Sequence, residues 1–272
     1  MKEMQLPNGE TIFYIDKFTA EYVYNEVYSD NVYLQHGISI KDGDVIFDVG
    51  ANMGIASLYF AQQAKNLQFF TFEPVPAIFE VLEANLARLK PDHTVKNYNI
   101  GLSDYSGTTE IKFLPKDSGE SAIIPFDMEY KVQKMVEHYD QAVEPFVPAA
   151  KFVPKFLRKF VVRLGVKKLQ KGINVSCQLR TLSEIIAENG IETINLLKID
   201  AENYESHVLA GIKEDDWVKI QQIAMEVHTH IKDGENLLQE FIELLTNKGF
   251  TCYEGEESLE TLWGVYMLYA KK

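Results

Sequence analysis

The stretch Asp44-Val45-Ile46-Phe47-Asp48-Val49, followed by Gly50-Ala51-Asn52-Met53-Gly54, constrains this chain more than any other part of it. A short, almost continuously apolar run is the pattern of a strand covered on both faces, which is how strands of parallel sheets are buried. From Ile55 to Ala64 the spacing turns helical, with Ile55, Leu58 and Tyr59 one turn apart. The alternation then repeats. Gln68–Phe72 reads as a second strand ended by Glu73-Pro74, Pro76–Leu89 as a helix with proline near its start, and Val95–Ile100 as a third strand. Further on, Thr181–Glu188 reads as a helix, Ile194–Asp200 as a strand, Ala201–Ile212 as a helix and Gln222–His228 as a strand. Glu235–Lys248 reads as a helix, and Phe250–Tyr253 and Gly264–Ala270 as closing strands, the last a candidate for antiparallel pairing. About seven strands alternating with helices over short links predict an α/β fold with a largely parallel sheet flanked by helices.

Two stretches break this rhythm. Residues 1–40 are tyrosine-rich, with Tyr22, Tyr24, Tyr28 and Tyr33 around Glu21 and Glu26, and their spacing suits a helix or two. Residues 115–175 hold Pro115, Pro125, Pro145, Pro148 and Pro154, then a basic amphipathic run from Lys151 to Lys171 with eight Lys/Arg in 21 residues. An insertion this long inside an α/β unit reads as a lid or a partner surface rather than a plain loop. The run is the more conspicuous because the chain of 272 residues is acidic, with 27 Lys+Arg against 40 Asp+Glu and a net charge of −13. That balance argues against a general nucleic-acid binder, which needs clustered cations. Cys177 and Cys252, far apart, make neither a disulfide scaffold nor a cysteine-rich zinc module. The N-terminus lacks the apolar run of a signal peptide and no segment reaches the length of a transmembrane span, so the expected location is cytoplasmic.

The loop after the first strand carries chemistry. Glycine there lets the backbone bend sharply and approach a ligand, at the carboxyl end of a strand where open α/β sheets bind ligands. The spacing does not match GxGxxG, and Asp48 just before it would repel a pyrophosphate, so the loop suits a neutral or cationic ligand. Glu73 ends the next strand, 19 residues after Gly54, where a carboxylate can accept both hydroxyls of a ribose. Its plainer role would be a charge near a helix N-terminus.

In this order and spacing, the segments Gly43–Gly54, Phe72-Glu73-Pro74, Gly101-Leu102-Ser103-Asp104, Leu197-Lys198-Ile199-Asp200-Ala201-Glu202 and Glu226-Val227-His228 resemble the FkbM-type S-adenosylmethionine-dependent methyltransferases, over about 24–114 and 179–270. The resemblance implies a class I methyltransferase (Rossmann-like) seven-stranded sheet, S-adenosyl-L-methionine as donor, and usually a hydroxyl acceptor. Carried over by position, Asp48, Gly50, Asn52 and Gly54 would cradle the methionine and sugar of the donor, and Glu73 would hold the ribose. Leu102, Ser103 and Asp104 would sit beside the adenine, although Ser103-Asp104 also reads as a turn before a strand at Thr108. One departure stands out: the family usually has glycine after its DxE, and here the residue is Asn203, which tolerates the left-handed conformation better than most.

Transfer of a methyl to an aliphatic hydroxyl needs in-line positioning and loss of a proton, to a base or through a metal. The candidates lie at strand ends: Asp200, Glu202, Glu226 and His228. Either His228 is the base, oriented by Glu226 or Asp200, or Asp200, Glu226 and His228 bind Mg²⁺ or Mn²⁺. A plainer reading of the same residues is a strand-end carboxylate pair with Lys198 and an exposed histidine. The expected enzyme is an O-methyltransferase with its acceptor under a lid from 115–175. That acceptor would be a secondary metabolite, such as a polyketide or peptide intermediate on an acyl or peptidyl carrier protein, or a sugar. A single domain over 1–272, excised from a larger synthase, fits this picture. A nicotinamide-dependent oxidoreductase and a non-catalytic binding module are the alternatives.

Overall fold

The computed structural model describes residues 1–89, 91–230, 234, 236–258 and 260–272. The chain begins with a hairpin, β1 (Lys2–Gln5) and β2 (Thr11–Tyr14), followed by α1 (Lys17–Tyr24). Then come β3 (Val45–Val49), α2 (Ile55–Ala61), β4 (Gln68–Phe72), α3 (Pro76–Leu86) and β5 (Thr94–Tyr98). Two short strands, β6 (Ile100–Leu102) and β7 (Gly107–Phe113), precede α4 (Met128–Glu137), α5 (Tyr139–Ala142) and α6 (Lys155–Leu169). The chain closes with β8 (Ile173–Arg180), α7 (Leu182–Asn189), β9 (Leu196–Ile199), α8 (Glu205–Ala210), β10 (Gln222–His228), α9 (Leu237–Asn247), β11 (Thr251–Glu254) and β12 (Val265–Lys271).

The seven strands expected from the sequence form one sheet in the order β11-β12-β10-β9-β3-β4-β5. The five strands β10, β9, β3, β4 and β5 run parallel, and β12 is antiparallel to β10 and β11. β3 is central, and successive strands build outward from it on either side, so the carboxyl edge at β3/β9 is a topological switch point. Register makes that edge even. Val49 pairs with Phe72 and Ile199, and Ile199 pairs with Met225. The residues that follow, Gly50, Glu73, Asp200 and Glu226, therefore stand in one row across the end of the sheet.

Both faces of the sheet are dry. Phe47, Val49, Phe70, Leu197, Ile199, Ile223, Met225 and Val227 pack with α7, α8 and α9 on one side. Ile46, Phe69, Leu196, Ala224 and Tyr269 meet Val27, Tyr33 and Phe60 on the other. On α3, Ile78, Val81, Leu82 and Leu86 form the buried face that the spacing predicts. The helix expected from Glu235 is present from Leu237, and Glu235 itself lies outside the described residues.

Three features depart from the sequence expectation. The helix expected around Tyr22 is present as α1, but the first residues are a hairpin, which docks on α3 through Asn85, whose side-chain oxygen accepts from Phe13 N at 2.8 Å and whose amide donates to Met53 O at 2.8 Å. A separate sheet, β6-β8-β7, covers one end of the main sheet. Its β8 shows strict alternation, with Ile173, Val175, Cys177 and Leu179 on one face, and the expected boundary at 175 cuts through it. The helical insertion thus lies between β7 and β8. Its α4, α5 and α6 bury their own small core of Val132, Tyr139, Ala150, Val162 and Val166. No helix among the described residues is long and apolar enough to cross a membrane.

Both glycines of the loop after β3 are required by space. Gly50 has φ +70°, and a Cβ there would lie 1.7 Å from the carbonyl oxygen of Asp200. Gly54 begins α2 at φ +83°, where a Cβ would press on Leu82 and Leu86 of α3.

One ion pair sits at the centre of the edge. Lys198, on β9, is 2% exposed, and its Nζ lies 3.2 Å from Asp48 Oδ1 and 3.5 Å from Asp200 Oδ2 while donating to Gly50 O at 2.8 Å. Burial alone would drive its proton off, but Asp48 and Asp200 outweigh that and hold its pKa above the usual lysine value. Removing one partner of such a pair leaves a buried uncompensated charge. Lys198→Met is expected to lose about 3–5 kcal/mol in chemical denaturation, and the isosteric double variant Lys198→Met/Asp48→Asn to recover part of it.

Candidate active site

The row at the sheet edge opens into a cleft enclosing about 610 Å³ including its mouth. The Gly50–Asn52 loop, Glu73, Leu102, and the Asp200–Glu202 segment line it, and the loop at Ser118–Ile123 from the insertion covers it. Glu73 is 4% exposed and its two carboxylate oxygens accept from the backbone N–H groups of Asn52 (3.1 Å) and Val75 (2.9 Å). Burial raises its pKa to about 7 even so. A carboxylate held this way at the bottom of a cleft can accept from paired hydroxyls.

The other candidates for this cleft divide. Gly50, Asn52 and Leu102 line it; Gly54 acts at the start of α2. Asp48 is fully buried and does not line the cleft: Ser57 Oγ donates to it at 2.6 Å and Lys198 faces its other oxygen. Its place is under the loop, holding α2 and β9 to β3. Ser103 is also fully buried, bonded to Asp104 Oδ1 at 3.0 Å and close to Tyr204 Oη at 3.2 Å, while Asp104 is exposed, and neither is among the residues that line the cleft.

Beside the cleft, Asp200, Glu226 and His228 converge, with one potential ligand atom from each within 4.8 Å of the others. His228 is 3% exposed, not on the surface. Its Nδ1 lies 2.8 Å from Oε1 of Glu205, which is itself buried in the first turn of α8. Glu205 thus takes the orienting role expected of Glu226 or Asp200; Glu226 Oε2 stands 3.9 Å from Nε2, the nitrogen turned toward the cluster, and Glu202 Oε2 3.6 Å from it. Burial opposes the imidazolium, but Glu205, Glu202 and Glu226 prevail and hold the His228 pKa well above the ordinary value. Glu226 accepts from Tyr33 Oη at 2.6 Å, and burial with Asp200 and Glu260 pushes its carboxyl up to about 8. Burial likewise lowers His230 to about 3, leaving it neutral. Asp200 Oδ1 is buried without a hydrogen-bond partner among the described residues.

Sequence reading missed Glu205 and the functional place of Tyr33. Nothing local marks either: Glu205 is 23 residues before His228, and Tyr33 reaches Glu226 across 193 residues. Tyr22 and Glu26 did carry a signal, being one helical turn apart. They extend the acidic wall, Tyr22 Oη donating to Glu260, with Glu26 near both Glu260 and Glu226.

The turn after β9 keeps its geometry without glycine. Glu202 and Asn203 have φ of 46° and 71°, and Asn203 Nδ2 donates to Ile124 O at 3.1 Å, tying the turn to the loop over the cleft. Thermal melting of Asn203→Gly is therefore expected near the wild type, the relaxed φ offsetting the lost bond. Asn203→Val is expected to cost about 1–2 kcal/mol.

The chain is 30% identical to the 31-O-demethyl-FK506 methyltransferase FkbM of Streptomyces tacrolimicus, over 100% of this chain and 97% of that protein. It is 32% identical to the AMB antimetabolite synthetase AmbE of Pseudomonas aeruginosa, over 98% of this chain but only 12% of that much longer protein. Among solved structures, Aeropyrum pernix fibrillarin with bound S-adenosyl-L-methionine superposes at a TM-score of 0.42 and 11% identity, covering 99% of this chain and 81% of that one. The family described as the Methyltransferase FkbM domain matches residues 48–252, and the chain belongs to it: it is a methyltransferase with a class I fold.

Proposed function

We propose that the protein transfers the methyl group of S-adenosyl-L-methionine to a hydroxyl of a small molecule. One observation carries this reading. The Asp200–Glu202 segment lines the cleft floored by Gly50 and Glu73, and it also joins the cluster of Glu226 and His228. A donor in the cleft and an acceptor on the cluster would share that segment, which is the proximity an in-line transfer needs.

In this reading Glu73 accepts the ribose hydroxyls, and Gly50 and Asn52 receive the amino-acid part. Asp200, on the wall of the cleft, would offset the positive charge of the donor's sulfonium. His228, fixed through Nδ1 by Glu205, presents Nε2 to the acceptor hydroxyl and takes its proton as the methyl moves. Only the neutral imidazole can take that proton, and a cationic donor beside the cluster would favour it against the imidazolium that Glu205, Glu202 and Glu226 stabilise. Tyr33 holds Glu226 in place from behind.

A divalent cation is the second reading, favoured by the orphaned Asp200 Oδ1 and by the way Glu205 aims Nε2 of His228 at Asp200 and Glu226. Such an ion would acidify the acceptor hydroxyl. Lys198, 3.5 Å from Asp200, competes for the same carboxylate.

The hydroxyl acceptor is supported by the name of the 31-O-demethyl-FK506 relative, and delivery on a carrier protein by that of the synthetase relative. A natural-product intermediate is therefore the acceptor class to test first.

Turnover of model alcohols should fall about 10²–10⁴-fold in His228→Ala, with affinity for the donor unchanged, and less steeply in Glu205→Gln. Full activity in His228→Ala would remove the base. Loss of turnover in EDTA, restored by Mg²⁺ or Mn²⁺, would assign the proton's loss to the cation instead.

A second expectation concerns pH. Only the ionised Glu73 can accept both hydroxyls, and burial holds its pKa near 7, so below that pH binding must first expel a proton. Affinity for S-adenosylhomocysteine should rise with pH through about 7, standing about tenfold below its plateau at about pH 6. Isothermal titration reads this directly, and Glu73→Gln should lose both affinity and its pH dependence.

A further inference from the structure

We infer that α6 docks the protein on an anionic lipid surface. The helix packs on the rest of the insertion through Val162 and Val166 alone among its buried residues. On the far side Phe152, just before it, and Phe156, Phe160 and Leu164 follow one another at intervals of four, exposed by 78%, 83%, 62% and 54%. Phe156, Phe160 and Leu164 thus lie in one stripe about 12 Å long on the helix, with Phe152 on the turn that precedes it. Among the described residues the rings of Phe156 and Phe160 stack on no other ring and carry no cation, and that of Phe152 meets only Lys151.

The charge around the stripe is equally one-sided. Residues 151–171 hold eight Lys/Arg and no Asp or Glu, within a chain of net charge −13. Two of the eight face inward or sideways: Arg158 lies over the Tyr139 ring and meets Asp140 and Glu144, and Arg163 meets Glu129. Lys151, Lys155, Lys159, Lys167, Lys168 and Lys171 form no ion pair among the described residues. Lys155 and Lys159 each immediately precede a ring of the stripe, so they flank it.

A convex single helix carrying bulky apolar side chains between lysines is the arrangement that lies in a lipid interface, rings in the acyl boundary and ammonium groups among the phosphates. A protein partner would need a matching groove for the whole ridge. The acidity of the rest of the molecule adds orientation, because an anionic surface attracts this helix and repels the other faces. Docked in this way, the helix would reach the site through its C-terminal end: Gln170 donates to Glu120 at 3.2 Å, and Glu120 borders the loop that covers the cleft.

Co-sedimentation of the full chain with vesicles tests the idea. Binding to about 3:1 phosphatidylcholine–phosphatidylglycerol vesicles should exceed binding to pure phosphatidylcholine by at least about tenfold and weaken as salt is raised. Phe156→Ser/Phe160→Ser should lower it by at least about tenfold while melting like the wild type, since neither side chain supports the core. Wild-type protein that stays in solution with both vesicles, or a double variant that binds as the wild type does, overturns the inference. It is also overturned if vesicles are not bound and the same two phenylalanines are instead needed for a complex with a phosphopantetheinylated carrier protein, or for a dimer seen in sedimentation equilibrium.

Discussion

The sheet edge depends on one buried cation. Lys198 reaches from β9 under the glycine loop to Asp48 and Asp200 and to the carbonyls of Val49 and Gly50. Without it the fully buried Asp48 would face Asp200 and two inward carbonyls with no cation to compensate them. Because Asp48 also binds Ser57 of α2, the same contact fixes the helix that follows the loop. Gly50 completes the arrangement by letting the loop pass against Asp200 with no Cβ between them.

What is built on that edge is a set of acids in unequal states. Glu73 is buried with two backbone donors, and burial pushes its pKa up to about 7. Glu226 is pushed up to about 8 by burial and by Asp200 and Glu260 beside it. Asp200 shares Lys198, and Glu205 is committed to His228. Carboxylates placed in such different surroundings serve different ends: recognition of hydroxyls on one side of the Asp200–Glu202 segment, and handling of a proton on the other.

The cover over this edge is assembled from segments far apart in the chain. Asp16 caps α1 through Thr19 N and at the same time accepts from the backbone and hydroxyl of Ser118, while Asn203 holds Ile124. The loop across the cleft is thus tied to the N-terminal segment and to the turn after β9. Beyond it α4–α6 stand as a helical outgrowth with a core of their own, whose outer face turns phenylalanine and lysine to the surroundings.

The sequence by itself determined the seven strands of the main sheet, the glycine loop, Glu73 at the next strand end and the family, because each is encoded within a few adjacent residues. A buried parallel strand must be apolar, a tight turn needs glycine, and the residues following flush strands must share an edge. The period-two run of β8 was equally local, and only a boundary drawn from the prolines of the insertion obscured it. Tertiary structure alone decided the rest. Asp48, acidic and next to the loop, looks like a ligand group in the sequence, and the fold turns it inward to Lys198. His228 looks exposed, and β10 buries it against Glu205. Tyr33 becomes the partner of Glu226 although most of the chain lies between them. Side-chain partnership across the end of a sheet is set by which strands lie side by side and in what register, and no local pattern carries that information.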